Sequence, residues 1–150
     1  MDATVVVAAM GFVTTLLAAW FTTYWQRRGD RAGRILDAKV RFYGECSNNL
    51  YEYTRATYNR VKARLESRPE HHRDELRQEA YRCNARAKSA IGQVAIITGD
   101  TALRERLEEA RRAVGSLNDA VDGADLKQRR ESVNQLLDEA LNLARSDLMR

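Results

Sequence analysis

The stretch TVVVAAMGFVTTLLAAWFTTYW, residues 4–25, decides how the rest of the chain is read. No charged side chain falls between Asp2 and Arg27. At a helical rise of about 1.5 Å per residue the run is about 33 Å long, enough to cross a bilayer core of about 30 Å. It lacks the polar stripe that a surface helix of a soluble domain carries. Trp20, Tyr24 and Trp25 gather at its C-terminal end, and such rings favour the headgroup layer, where an apolar body and a polar tip are both satisfied. The run therefore reads as an uncleaved anchor occupying residues 1–26. A cleavable signal would need a basic leader and a small-residue cleavage site. Here no Lys or Arg precedes the run, and bulky Trp20 and Phe21 follow Ala18 and Ala19.

The flanks set an orientation. Arg27, Arg28, Arg31 and Arg34 follow the run at once, whereas Asp2 is the one charged side chain before it. Basic residues stay on the cytoplasmic side, so the N-terminus is expected outside and residues 27–150 in the cytoplasm of a single-pass protein of the plasma (inner) membrane. Trp20 and Trp25 would mark the interface, and the four arginines would face anionic lipid, each contributing about 1 kcal/mol close to the surface. Within the run, Gly11, Thr15, Ala19 and Thr23 recur every fourth residue, with Thr14, Ala18 and Thr22 in the neighbouring row. Small residues on one face let two membrane helices approach closely, which makes this row a candidate for self-association into a homo-oligomer.

The 150 residues leave room for one domain beyond the anchor. A charged fraction of 31% with a single Pro suits an all-helical chain. Residues 27–66 carry a seam in steps of three and four: Leu36, Val40, Tyr43, Cys46, Leu50, Tyr53, Thr57, Val61 and Leu65. Gly29 and Gly33 would allow a break beside the membrane. Ser67 with Glu70 reads as a capping box that opens the next helix, with Pro69 in its first turn. That helix shows Leu76, Ala80, Cys83, Ala87, Ala90, Val94 and Ile97, widened by Ile91 and Ile96, and stops at Gly99. Asp100 or Thr101 would cap a third helix with Leu103, Leu107, Ala110, Val114, Leu117 and Val121 inward. A turn at Asp122-Gly123 follows, then a capping pair Asp125/Gln128 and a last helix with Leu126, Val133, Leu137, Ala140, Ala144 and Leu148, reinforced by Leu136, Leu141 and Leu143. The fold class is all-α: a single N-terminal transmembrane helix followed by an antiparallel bundle of helices at about 30–66, 68–98, 101–121 and 125–149. The alternative is a long coiled-coil hairpin that completes its core by dimerising.

Chemistry is hard to find along this chain. Adjacent residues on a helix point about 100° apart, so His71 and His72 cannot readily grip one metal. Cys46 and Cys83 have no metal-ligand spacing and read as small buried hydrophobes. The carboxylates Glu108, Glu109, Asp138 and Glu139 stand at salt-bridge spacing from Arg111, Arg112 and Arg145, which describes a solvated face. Tyr43, Tyr51, Tyr53, Tyr58 and Tyr81 alternate with Arg41, Arg55, Arg60 and Arg82, a mixture that could stack on single strands. Tyr43 and Tyr53 fall on the core seam, however, so nucleic acid is not an expected partner. No catalytic, cofactor-binding or metal-ligating residue is nominated, and the chain is not read as an enzyme.

The juxtamembrane WQRRGDRAGR (25–34) and the segment KVRFYGECSNNLYEY (39–53) resemble the layout of small N-terminally anchored helical membrane proteins of high-GC Gram-positive bacteria and their phages. The likeness covers mainly residues 1–60. It implies an anchor followed by a helical cytoplasmic domain, and no functional residue carries over. Two functions remain: a membrane-anchored interaction or scaffold protein that recruits a protein partner, or a membrane-acting effector, of phage-defence or superinfection-exclusion type, that assembles through its transmembrane helix.

Overall fold

The computed structural model describes the backbone of residues 3–149 and the side chains of residues 33–149. The chain divides into two units, Met1–Asp37 and Ala38–Arg150. Helix α1, Ala3–Leu65, runs without a break through Gly29 and Gly33, where the glycines would have allowed either a break or a straight continuation. The anchor stretch and the side chains of Gly11, Thr15, Ala19, Thr23, Trp20, Trp25, Arg27, Arg28 and Arg31 lie outside the described side chains. Arg34 is described and exposed. Among the described residues no helix is long and apolar enough to cross a membrane.

The second unit is built from the C-terminal part of α1 together with α2 (Glu70–Thr98), α3 (Thr101–Gly115), a 3-10 turn (Ser116–Asp119) and α4 (Gly123–Leu148). Local chemistry punctuates each join. At the end of α1, Ser67 takes a left-handed φ of 52°, and the Arg68 amide donates to the Ala63 carbonyl at 3.0 Å. This is the C-terminal turn usually occupied by glycine. Ser67 thus closes α1 and does not open α2. The residue at the N-cap of α2 is Pro69, which makes no side-chain cap. Gly99 ends α2 at φ 64°, its amide bonded to the Ala95 carbonyl, as the sequence suggests. Asp100 Oδ1 accepts from the Leu103 amide at 3.0 Å and starts α3.

The last join differs from the sequence reading. Asp122 is the N-cap of α4 and accepts from the Asp125 amide at 2.8 Å. Asp125 Oδ2 in turn accepts from the Val121 amide at 3.0 Å. The expected third helix also stops early: α3 ends at Gly115 and tightens into the 3-10 turn. The chain therefore reaches Ala120 in extended conformation, buries it, and leaves Val121 78% exposed.

The core follows the 3.6 period. Tyr43, Cys46, Leu50, Tyr53, Thr57 and Val61 of α1 meet Ala80, Cys83, Ala87, Ala90, Ile91 and Val94 of α2, Leu103, Leu107, Ala110, Val114 and Leu117 from α3 and its turn, and Leu126, Val133, Leu137, Ala140 and Ala144 of α4. Alanines dominate the α2 stripe, which lets its backbone approach its neighbours closely. Leu36 and Val40 belong to the same seam in sequence but are 46% and 53% exposed. Among the described residues of α1, burial begins at Tyr43. Ile96, expected to widen the α2 seam, is also exposed.

Candidate interaction surfaces

Four ties fasten α1 to α4. The Tyr43 hydroxyl donates to Asp147 Oδ2 at 2.6 Å, and Lys39 Nζ donates to the same oxygen at 2.8 Å. The Tyr51 hydroxyl donates to Asp138 at 2.8 Å, and the Arg130 guanidinium lies 4.7 Å from the centre of the Tyr58 ring. Arg64 Nη2 reaches the Ala120 carbonyl at 2.6 Å in the connection before α4. As the α1 number rises, its partner's falls, so α4 runs antiparallel. On the other flank Arg86 pairs with Glu52 at 3.6 Å and Arg60 lies over Tyr81 at 5.5 Å, which sets α2 antiparallel to α1. Arg111 joins α3 to α2 through Asn84 at 2.7 Å. Each helix therefore neighbours the next in sequence, and α4 returns to α1: an up-down-up-down bundle.

These ties absorb much of the chemistry the sequence displays. Burial, then the Asp147 carboxylate, raises the Tyr43 phenol above its ordinary range, so it remains a neutral donor. The Cys46 thiol is pushed up to about 12, first by burial and then by Glu108 and Glu45. Burial also raises Cys83. A nucleophilic cysteine needs the opposite, a lowered pKa and access to solvent. His72 stands 3.7 Å from Glu75 on an exposed turn. Among the described residues no group of three or more His, Cys, Asp or Glu could hold a metal ion. The tyrosine and arginine alternation is used inside the bundle: Tyr43 and Tyr53 are buried, and Tyr58 and Tyr81 each lie under an arginine.

What remains is surface. A groove of about 450 Å³ runs between α3 and α4. Leu136, Ala140 and Leu143 form its apolar floor, and Arg106, Glu109 and Glu139 stand on its rim. Leu143, expected to reinforce the core seam, is instead 45% exposed here. The end of the bundle where α1 enters carries Val40, Ile96 and Met149, the last two more than 80% exposed. At the far end a cleft of about 210 Å³ is lined by Arg60, Arg64, Arg73 and Arg77 with Glu70 and Asp74. Sequence reasoning missed the groove. Leu136 and Leu143 gave the signal, lying to one side of the stripe 126-133-137-140-144, too wide for a single seam.

Residues 40–148, which make up nearly all of the second unit, match the family model described as KilB plasmid transfer protein. No curated protein and no solved structure matches the chain.

Proposed function

The chain belongs to the KilB plasmid transfer protein family, and from that premise we propose that it is a membrane-anchored helical scaffold of plasmid transfer. Residues 1–26 hold it in the inner membrane with the N-terminus outside, and the bundle recruits a protein partner in the cytoplasm. The observation that carries this reading is the groove between α3 and α4. Its apolar floor and mixed-charge rim suit the apolar face of a partner helix. The ties between helices occupy the side chains that a reaction would need, which favours binding over catalysis. Many of the arginines stand in ion pairs, including Arg77–Asp74, Arg82–Glu79 and Arg106–Glu109, and the net charge is only +4, which disfavours a nucleic-acid face.

The test is purification of the full chain from its native membrane with mass spectrometry of what accompanies it, beside the variant Leu143→Glu. Leu143 is exposed enough for the change to leave the fold intact. A partner that accompanies the natural chain and is lost with the variant supports the groove. Identical companions for both would refute it. A reporter fused at Arg150 tests the orientation, since activity confined to the outer side contradicts it. The other reading is an effector that assembles through Thr14, Thr15, Thr22 and Thr23 and perturbs the bilayer. Dye leakage from liposomes bearing the protein would favour that reading over a scaffold.

A further inference from the structure

Arginines from two helices converge at the end of the bundle where α1 gives way to α2. Arg60 and Arg64 are one turn apart on α1, and Arg73 and Arg77 are one turn apart on α2, so each pair shares a face of its helix. The two helices are antiparallel, which sets Arg60 near the level of Arg77 and Arg64 near that of Arg73. All four line one cleft of about 210 Å³, together with Glu70 and Asp74. Four guanidiniums against two carboxylates leave the cleft basic. The excess is local: residues 55–77 carry seven Lys or Arg against four Asp or Glu, whereas residues 78–150 hold twelve of each.

Three of the four arginines are already aimed. Arg64 Nη2 donates to the Ala120 carbonyl at 2.6 Å, the Arg60 guanidinium lies 5.5 Å from the centre of the Tyr81 ring, and Arg77 pairs with Asp74 at 2.9 Å. None of these ties exhausts a guanidinium, which has five N–H donors. Among the described residues no ion pair or side-chain hydrogen bond engages Arg73 or Glu70. A guanidinium fork matches the two oxygens of a carboxylate, and side chains held in place beforehand lose less freedom when a ligand arrives.

The surroundings distinguish between anions. Glu66, held by Lys62 and Arg68, and Glu75, 3.7 Å from His72, flank the cleft in sequence. A nucleic-acid strand lays phosphate after phosphate along a basic track, and these carboxylates interrupt one. Its bases also seek open aromatic faces, yet Tyr58 and Tyr81 are each faced by an arginine. An acidic peptide needs only a few carboxylates at one place.

We propose that this arginine cleft binds an acidic peptide segment of a partner protein. Its carboxylates enter between Arg60 and Arg64 on one side and Arg73 and Arg77 on the other, and Glu70 opposes them by repulsion. The site lies wholly within the second unit and depends neither on the anchor nor on the α3–α4 groove.

The full chain, purified in neutral detergent, is titrated into rhodamine-labelled oligoglutamate at low salt and followed by fluorescence anisotropy. Oligoglutamine of the same length and oligothymidylate of equal charge are run beside it. Oligoglutamate should bind and oligoglutamine should not. Arg73→Gln should weaken binding about fivefold, the effect of one exposed charge-assisted donor. Arg104→Gln removes the same charge from the start of α3, at the other end of the bundle, and should change binding less than about twofold. Glu70→Gln should tighten it about two- to threefold by removing a like charge, a gain that misfolding cannot imitate. Arg73 is exposed, and circular dichroism of its variant should match the natural chain. Absence of saturable oligoglutamate binding, equal losses from Arg73→Gln and Arg104→Gln, or weaker binding by Glu70→Gln overturns the proposal. So does tighter binding of oligothymidylate through Arg73, which would make the cleft a nucleic-acid site.

Discussion

Tyr43 and Tyr51 make the same kind of bond to the same helix, and their stability effects should differ severalfold. Tyr43 is 6% exposed and gives its hydroxyl to Asp147 at 2.6 Å. Tyr51 is 41% exposed and gives its hydroxyl to Asp138 at 2.8 Å. A hydrogen bond to a charged acceptor contributes about 1.5–3 kcal/mol where water cannot replace it. At Tyr43 the acceptor is shared with Lys39, and removing the phenol oxygen also removes its desolvation cost. Tyr43→Phe should therefore cost about 1.5 kcal/mol, the low end. At Tyr51 water takes over the carboxylate, so Tyr51→Phe should cost less than about 0.5 kcal/mol. For a domain of this size the first change corresponds to a fall in Tm of roughly 6 °C. The assay is urea unfolding of residues 30–150, followed by far-UV circular dichroism, for the single variants Tyr43→Phe, Tyr51→Phe and Lys39→Met and for Tyr43→Phe combined with Lys39→Met. Because Tyr43 and Lys39 share one oxygen, their effects should be non-additive by at least about 0.5 kcal/mol. Equal costs at Tyr43 and Tyr51, or strict additivity with Lys39, would refute the reasoning.

Three further outcomes are expected of the same fragment. Ser67→Gly should stabilise it by about 1 kcal/mol, because glycine meets no Cβ penalty at φ 52°; a loss of stability in urea unfolding would show that the Ser67 side chain has a role of its own. Asp122→Ala should cost about 1 kcal/mol by removing the acceptor of the Asp125 amide, read as a lower urea midpoint at unchanged slope. Stability should fall as pH rises above about 8.5, where an unfolded thiol ionises while native Cys46 keeps its proton to about 12. The native state then binds more protons than the unfolded one, so each pH unit costs about 1.4 kcal/mol for that group. Tyr43, raised in the same direction, adds to the fall above about pH 10, the ordinary tyrosine value. Cys46→Val should flatten the profile between pH 9 and 10, and an unchanged slope there would show that Cys46 does not cause it.

Periodicity alone determined the all-α character of the described residues and most of their core. A residue three or four positions from a buried one lies on the same helix face wherever the helix is placed, so Cys46, Leu50, Ala87, Leu107 and Leu137 could be assigned inward from spacing. The left-handed stop at Gly99 and the cap at Asp100 were equally legible, because both depend on backbone geometry within a few residues. Tertiary structure decided what depends on where a neighbour ends. Leu36 and Val40 continue the α1 seam in sequence, yet among the described residues burial starts at Tyr43. Val121 keeps the phase of α3, but the tightened turn at Ser116–Asp119 gives its inward place to Ala120. Asp147 becomes the acceptor for Lys39 and Tyr43 across more than 100 residues of chain, and Leu143 becomes part of a groove. A helical repeat specifies an angle around one axis. Which angles are covered, and over what length, is set by the ends and spacing of the helices packed beside it.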